Sequence, residues 1–329
     1  MSASPLPLAQ RARILRALRA HFDAQGFIEI EAPVLVVSPG MEPHLDAFEV
    51  KRSPEPDRRF LHTSPEYALK RLLGEGYDRI YSLGPCFRDE PTSSTHSPEF
   101  TMLEWYQKGL DLEGLMAQTE AAVASACRAI HGGTDCVYRG QQLSLSPPFE
   151  RMSVQQAFKR FARIDPWQYA QADTLRMAAR MAGVAVPTDS GSWDDVFFQI
   201  FLNAVEPRLG RSKPTLLHGW PASQAALARL DPFDPRRALR FELYAGGIEL
   251  ANAFDELTDA EEQRSRFQKE QVERSQMGKT VLPIDEQLLE ALPRMGPTSG
   301  IALGVDRLVM LLLDAPDISH VRAQPWRGW

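Results

Sequence analysis

Residues 87–106, FRDEPTSSTHSPEFTMLEWY, constrain the fold more than any other stretch, because two strand-like flanks enclose the turn-rich segment Pro91–Thr95. Such a hairpin commits its neighbourhood to antiparallel pairing. Arg88 and Glu90 lie two apart, and so do Phe100, Met102, Glu104 and Tyr106. At the two-residue period of a strand, each set shares a face. Two readings follow from the residues alone. One is a solvated hairpin with an apolar underside. The other is a nucleotide site, in which Arg88 offers a planar cation to a phosphate and an aromatic ring stacks on a base.

Upstream, Leu8–Phe22 predicts an amphipathic helix, with Ile14, Leu18 and Phe22 at four-residue steps and Arg11, Arg13, Arg16 and Arg19 turned outward. Gly26 stops it. Phe27–Pro33 alternates as a strand, with Pro33 favouring an edge. Arg58–Lys70 predicts a strand leading into a helix, with Ser64 or Thr63 as N-cap and Pro65 at the first helical position. Helical patterns run over 112–130, 153–161, 174–181 and 194–205, an inserted layer at roughly 110–210. Strands resume at 214–218 and 239–250, a charged helix covers 259–277, and Gly300–Arg307 leads into the apolar run 308–313. Strands and helical blocks without strict βαβ alternation predict an α+β fold, an antiparallel β-sheet flanked by helices in a single domain over 1–329.

Composition removes several classes of function. The 329 residues are 43% hydrophobic and 24% charged, with a formal net charge of −6 that argues against wholesale binding of a nucleic-acid backbone. Cys86, Cys127 and Cys136 have neither zinc spacing nor an even-numbered disulfide framework. They read as reduced packing residues of a cytoplasmic protein. No segment has signal-peptide or membrane-spanning character, so no membrane partner is expected. His21, His44, His62, His131, His218 and His320 show no ligand spacing. The chain also lacks the Gly-x-x-x-x-Gly-Lys, Gly-x-Gly-x-x-Gly, His-Glu-x-x-His and Gly-x-Ser-x-Gly patterns, which disfavours the usual nucleotide-binding and hydrolase folds.

Three segments in order resemble the three motifs of class II aminoacyl-tRNA synthetases: the helix and strand ending at Pro33, the Phe87–Glu90 hairpin returning through Phe100, and Gly300–Arg307 before a terminal helix. Thr63-Ser-Pro-Glu66, Thr101-Met-Leu-Glu-Trp-Tyr106 and Gly247–Leu257 narrow the resemblance to the lysyl-tRNA synthetase branch. The motif 1 helix begins near Leu8, which leaves no anticodon-binding domain before it. In this respect, and at Gly219-Trp-Pro-Ala-Ser-Gln224, the chain is similar to the elongation factor P lysyltransferases. These attach a lysine-like amino acid to a lysine of that factor. The resemblance implies ATP and Mg²⁺ as cofactors, lysine or (R)-β-lysine as substrate, elongation factor P rather than tRNA as acceptor, and a homodimer formed through motif 1.

The resemblance also implies roles. Arg88 would hold the α-phosphate and the substrate carboxylate, with Asp89 beside it; Glu90 would accept from the adenine amino group. Phe100 would stack on the base and Arg307 would cover its other face, while His96 and Ser97 meet the distal phosphates or the adenine surroundings. Glu242 and Glu249 match the metal-binding acidic positions, and Leu250 and Gly304 would bring backbone close to the nucleotide. Arg88, Glu249 and Arg307 form the catalytic set. Ser64, Pro65, Glu66, Glu104, Tyr106, Asn252 and Glu256 match the lysine pocket, where buried ammonium groups need anionic partners, and Phe254 would pack the methylenes. Ala302 replaces the glycine usual in lysyl-tRNA synthetases, which would favour a β-amino acid. A truncated enzyme charging tRNA, and a non-catalytic amino-acid-binding paralogue, stand as alternatives.

Overall fold

The computed structural model describes residues 5–51, 58–187 and 191–325. Helix α1 (Pro5–Ala24) buries Ile14, Leu18 and Phe22 and ends before Gly26, whose φ of +75° is left-handed. Strand β1 is only Ile28–Glu29: the amide of Ile30 bonds Tyr81 O at 2.7 Å, and the chain then leaves the sheet before Pro33. Strands β2 (Leu35–Val36), β3 (Glu49–Val50) and β4 (Arg59–Leu61) form a small sheet in the order β2-β4-β3. Helix α2 (Glu66–Gly74) starts one residue after Pro65, and Ser64 Oγ accepts from the Glu66 amide at 3.0 Å.

The hairpin singled out in the sequence is β5 (Arg79–Phe87) with β6 (Glu99–Lys108), registered Phe87 opposite Glu99 and Ile80 opposite Tyr106. Helix α3 (Leu112–His131) begins at an Asp111 cap and ends at Gly132 in the left-handed region. The layer expected to be helical also contains a hairpin, β7 (Asp135–Tyr138) and β8 (Gln141–Ser144), and strand β9 (Glu150–Ser153). Its helices are α4 (Val154–Ala157), α5 (Ala172–Met181) and α6 (Trp193–Ile200); α4 and α6 each run on into a π-helical turn. The chain then returns through β10 (Thr215–Pro221), β11 (Arg237–Ala245) and β12 (Ile248–Asp255). It closes with α7 (Ala260–Gln276), α8 (Glu286–Met295), β13 (Thr298–Gly304) and α9 (Val305–Leu312).

Eight of these strands make one sheet in the order β1-β5-β6-β13-β12-β11-β10-β9, antiparallel throughout its centre and parallel only at its two edge pairs. The α+β expectation is borne out. Pleating separates the two faces. Leu103 and Trp105 of β6, Ile301 and Leu303 of β13, Ala251 and Ala253 of β12, and Phe241 and Leu243 of β11 belong to one core with α1, α3 and α9. The alternate residues of the same strands point the other way and carry the polar groups. Arg11 is not turned outward: its guanidinium pairs with Asp306 at 2.5 Å and bonds Thr101 Oγ1 at 2.9 Å, fastening α1 to the start of α9.

Candidate active site

The polar face of the central strands is organised in two cross-strand rows. One runs Ser82, Glu104, Ala302, Asn252, Glu242, and the other runs Ile80, Tyr106, Gly300, Phe254, Arg240, each residue directly opposite the next. Residues spread between positions 80 and 302 of the sequence thereby share one surface. Gly300 is required by a close approach, since a Cβ there would stand 2.1 Å from Tyr106 Cε1 and 2.7 Å from Glu256 Oε1.

At one end lies a pocket of carboxylates. Ser64 Oγ donates to Glu104 Oε2 at 2.6 Å and the Tyr106 hydroxyl donates to Glu104 Oε1 at 2.5 Å. Lys70 Nζ lies 2.5 Å from Glu66 Oε1 and 2.6 Å from Glu256 Oε2, and its side chain is buried. Burial pushes Glu104 up to about 8, reinforced by the Glu66 charge and opposed by the Ser64 and Tyr106 bonds. Glu256 is likewise pushed up to about 8 by burial, against the attraction of Lys70. Burial acts to lower Lys70, and the charges of Glu256 and Glu66 outweigh it, holding the ammonium protonated. Three buried carboxylates thus gather around one lysine, which pairs with two of them, and burial keeps Glu104 and Glu256 largely protonated near neutrality until a cation arrives to favour their ionised forms. Pro65 contributes the turn into α2, its carbonyl accepting from the Leu69 amide at 3.1 Å, and no polar side-chain atom.

At the other end Glu242 is buried, its Oε1 2.5 Å from Arg240 Nη2 and its Oε2 bonded by the Tyr244 hydroxyl. Burial moves it to about 7, with the Arg240 cation opposing and the Glu249 charge adding. Arg240 also bonds Asn252 Oδ1 at 3.0 Å and Gln224 O at 2.7 Å, and lies 4.7 Å from the Trp220 ring centroid. It thus ties the Gly219–Gln224 segment to the sheet. Arg307 Nη1 donates to Glu249 O at 2.9 Å, Nε to Thr95 O at 3.2 Å, and Nη2 to His96 Nε2 at 2.8 Å. Leu250 turns its side chain into the core and offers only backbone, with its carbonyl oxygen 3.8 Å from where a Gly304 Cβ would stand.

Arg88 and Glu90 do not share a strand face as expected, because β5 ends at Phe87 and both lie in the connection to β6. The Arg88 amide bonds Pro98 O at 2.8 Å, and its guanidinium covers the Phe100 ring at 5.1 Å from the centroid. Arg88 Nε and Ser97 Oγ are buried without hydrogen-bond partners. Asp89 exposes its side chain and is held by its amide to Asp46 O at 2.8 Å. Among the described residues, no group of three or more His, Cys, Asp or Glu side chains could hold a metal ion.

Lys70, Arg240 and Glu206 were not singled out by the sequence. Lys70 follows Glu66 by one helical turn and Arg240 precedes Glu242 by one strand period, and both signals are visible only once the carboxylates are assigned. Glu206 is raised by burial and by the charge of Glu249, with Arg307 opposing.

A sheet antiparallel through its centre, with Arg88 in the hairpin connection and Arg307 at the head of α9, has the arrangement of the class II synthetases that the sequence resembles. The family model described as tRNA synthetases class II (D, K and N) matches residues 4–327, and the chain belongs to that family. Within it the chain belongs with the elongation factor P--(R)-beta-lysine ligases. The proteins of that name from Proteus mirabilis and Salmonella arizonae are each 40% identical over 98% of this chain, covering 96% and 95% of their own lengths. That from Hamiltonella defensa is 39% identical over 97% of this chain and 94% of its own.

Proposed function

We propose that this chain activates (R)-β-lysine, or lysine, with ATP and transfers the acyl group to the ε-amine of a lysine on elongation factor P. A carboxylate oxygen attacks the α-phosphorus and pyrophosphate leaves. The acceptor nitrogen then attacks the acyl carbon, AMP leaves with the bonding pair, and the amine proton passes to solvent. The observation that carries this reading is the continuous row from Glu104 through Ala302 and Asn252 to Glu242, which joins an ammonium pocket to a phosphate-side carboxylate.

Arg88 holds the carboxylate and α-phosphate, and its unpartnered Nε is aimed for that charge. Phe100 and Arg307 take the adenine, Glu90 its amino group, and His96 and Ser97 the outer phosphates. Glu242 and Glu249 would hold Mg²⁺, because a divalent cation would offset both the burial that raises Glu242 and the added charge of Glu249, with phosphate and water oxygens completing its ligands. That ion supplies charge neutralisation on the phosphates.

No helix among the described residues is long and apolar enough to cross a membrane, and a cytoplasmic location beside the translation machinery belongs to the same proposal. So does a homodimer, supported by the half-exposed apolar residues Ile28, Leu35 and Val37 that follow α1. The net charge of −6 disfavours tRNA as acceptor. Mass spectrometry of elongation factor P incubated with the protein, ATP and either lysine isomer tests the assignment. A mass increase of one lysyl residue, dependent on ATP, is the expected result; charging of tRNA with no change in the factor overturns it.

A further inference from the structure

The segment 39–46 bridges the two halves of the site. At one end Pro39 O accepts from Thr63 Oγ1 at 2.6 Å, beside the Ser64–Glu104 contact; at the other, Asp46 O accepts from the amide of Asp89, next to Arg88. Arg274 of α7 fastens it from outside, donating to Glu42 O at 3.0 Å and Leu45 O at 2.7 Å and pairing with Asp46 at 3.1 Å. Between these anchors Glu42 folds back over Gly40. A Cβ on Gly40 would stand 2.8 Å from Glu42 Oε2 and 3.0 Å from Thr63 Oγ1, so the carboxylate lies against the Thr63 turn. Glu42 Oε2 is buried and has no hydrogen-bond partner. The charged groups around it are Glu66, Arg88 and Lys70, with Glu270 approaching from α7.

We propose that Glu42 is a specificity residue that receives the substrate ammonium nearest the carboxylate. This rests on the function proposed above. If Arg88 takes the carboxylate and Glu104, Tyr106 and Glu256 take the distal ammonium, the nearer ammonium falls between them, where Glu42 faces both Arg88 and Glu66. Glu66 and Glu256 already share Lys70, and Glu104 is held by two hydroxyls. Of the pocket carboxylates with a buried oxygen that lacks a hydrogen-bond partner, Glu256 is already paired with Lys70, which leaves Glu42 Oε2 for a new cation. Burial followed by the Glu66 charge raises its pKa, which an arriving ammonium would reverse.

Pyrophosphate exchange with (R)-β-lysine and with 6-aminohexanoate, which lacks the nearer amine, tests this. Glu42→Gln should lower kcat/KM for (R)-β-lysine by roughly ten- to a hundred-fold, as expected for loss of a charged hydrogen bond, while leaving 6-aminohexanoate and the KM for ATP unchanged. Glu42→Asp, which keeps the charge, should show a smaller loss confined to (R)-β-lysine and covers the case in which the Gln variant does not fold. Equal losses on both acids, or none on either, overturn the role of Glu42. Absence of exchange in the unmodified protein with any lysine isomer overturns the proposed function itself, a result visible before any variant is compared.

Discussion

Ala302 lies directly opposite Glu104 across the β6–β13 pair, and on its other side opposite Asn252 of β12. Its methyl therefore stands on the polar face between Glu104 and Asn252, where the proposed substrate would lie. Ala302→Gly should shift relative kcat/KM toward α-lysine by roughly ten- to two-hundred-fold, the range open to one methylene-sized group. Adenylation measured with both isomers checks this. An unchanged ratio means the residue does not set the choice.

Arg88→Ala should remove adenylation while preserving the fold, because the guanidinium packs on Phe100, which belongs to none of the apolar core clusters. The cost is about 3 kcal/mol or more in the transition state. Near-normal pyrophosphate exchange, with an unchanged circular dichroism spectrum, would show that another group carries the phosphate charge.

Lys70 compensates two buried carboxylates. Lys70→Met should destabilise the protein by about 3–5 kcal/mol at neutral pH, since it leaves the buried Glu66 carboxylate without its cation. Urea denaturation measures it. A loss below about 1 kcal/mol would mean that Glu66 simply takes up a proton.

Substrate binding should release protons. Glu104 and Glu256 have folded-state values raised to about 8, so near neutrality both are largely protonated, and their ionised forms are the ones an ammonium stabilises. The sign is therefore tighter binding as pH rises toward about 8, then a plateau. Calorimetric titration of (R)-β-lysine in two buffers of different ionisation enthalpy reads the proton count directly. Proton uptake, or affinity independent of pH over that range, would contradict the raised values.

The hairpin of β5 and β6 and the charged α7 were legible, because each rests on a local period, and the motifs the chain resembles named Glu66, Glu104, Tyr106 and Glu256, which the fold brings together. Helix α8 escaped notice, since Pro293 lies inside it and reads as a breaker. β1 shrank to two residues because its register with β5 ends at Ile30, a tertiary fact. Arg88 and Glu90 obey the strand period in sequence, yet the strand stops one residue before them. Lys70 and Arg240 have a local partner each, Glu66 one helical turn away and Glu242 one strand period away, but those spacings are ordinary surface patterns until the carboxylates are known to be buried, and Glu42 meets its neighbours only through the fold.

The pleat of β13 divides its residues between two tasks that do not share atoms. Ile301 and Leu303 pack in the apolar core, while Gly300, Ala302 and Gly304 lie on the opposite face, where the proposed substrate and nucleotide would sit. Selection can therefore rewrite the second set without loosening the first, as long as each replacement clears Tyr106 and Arg307. A scaffold built this way lets a lineage move from one amino acid to another through single, viable substitutions rather than through a rebuilt interior.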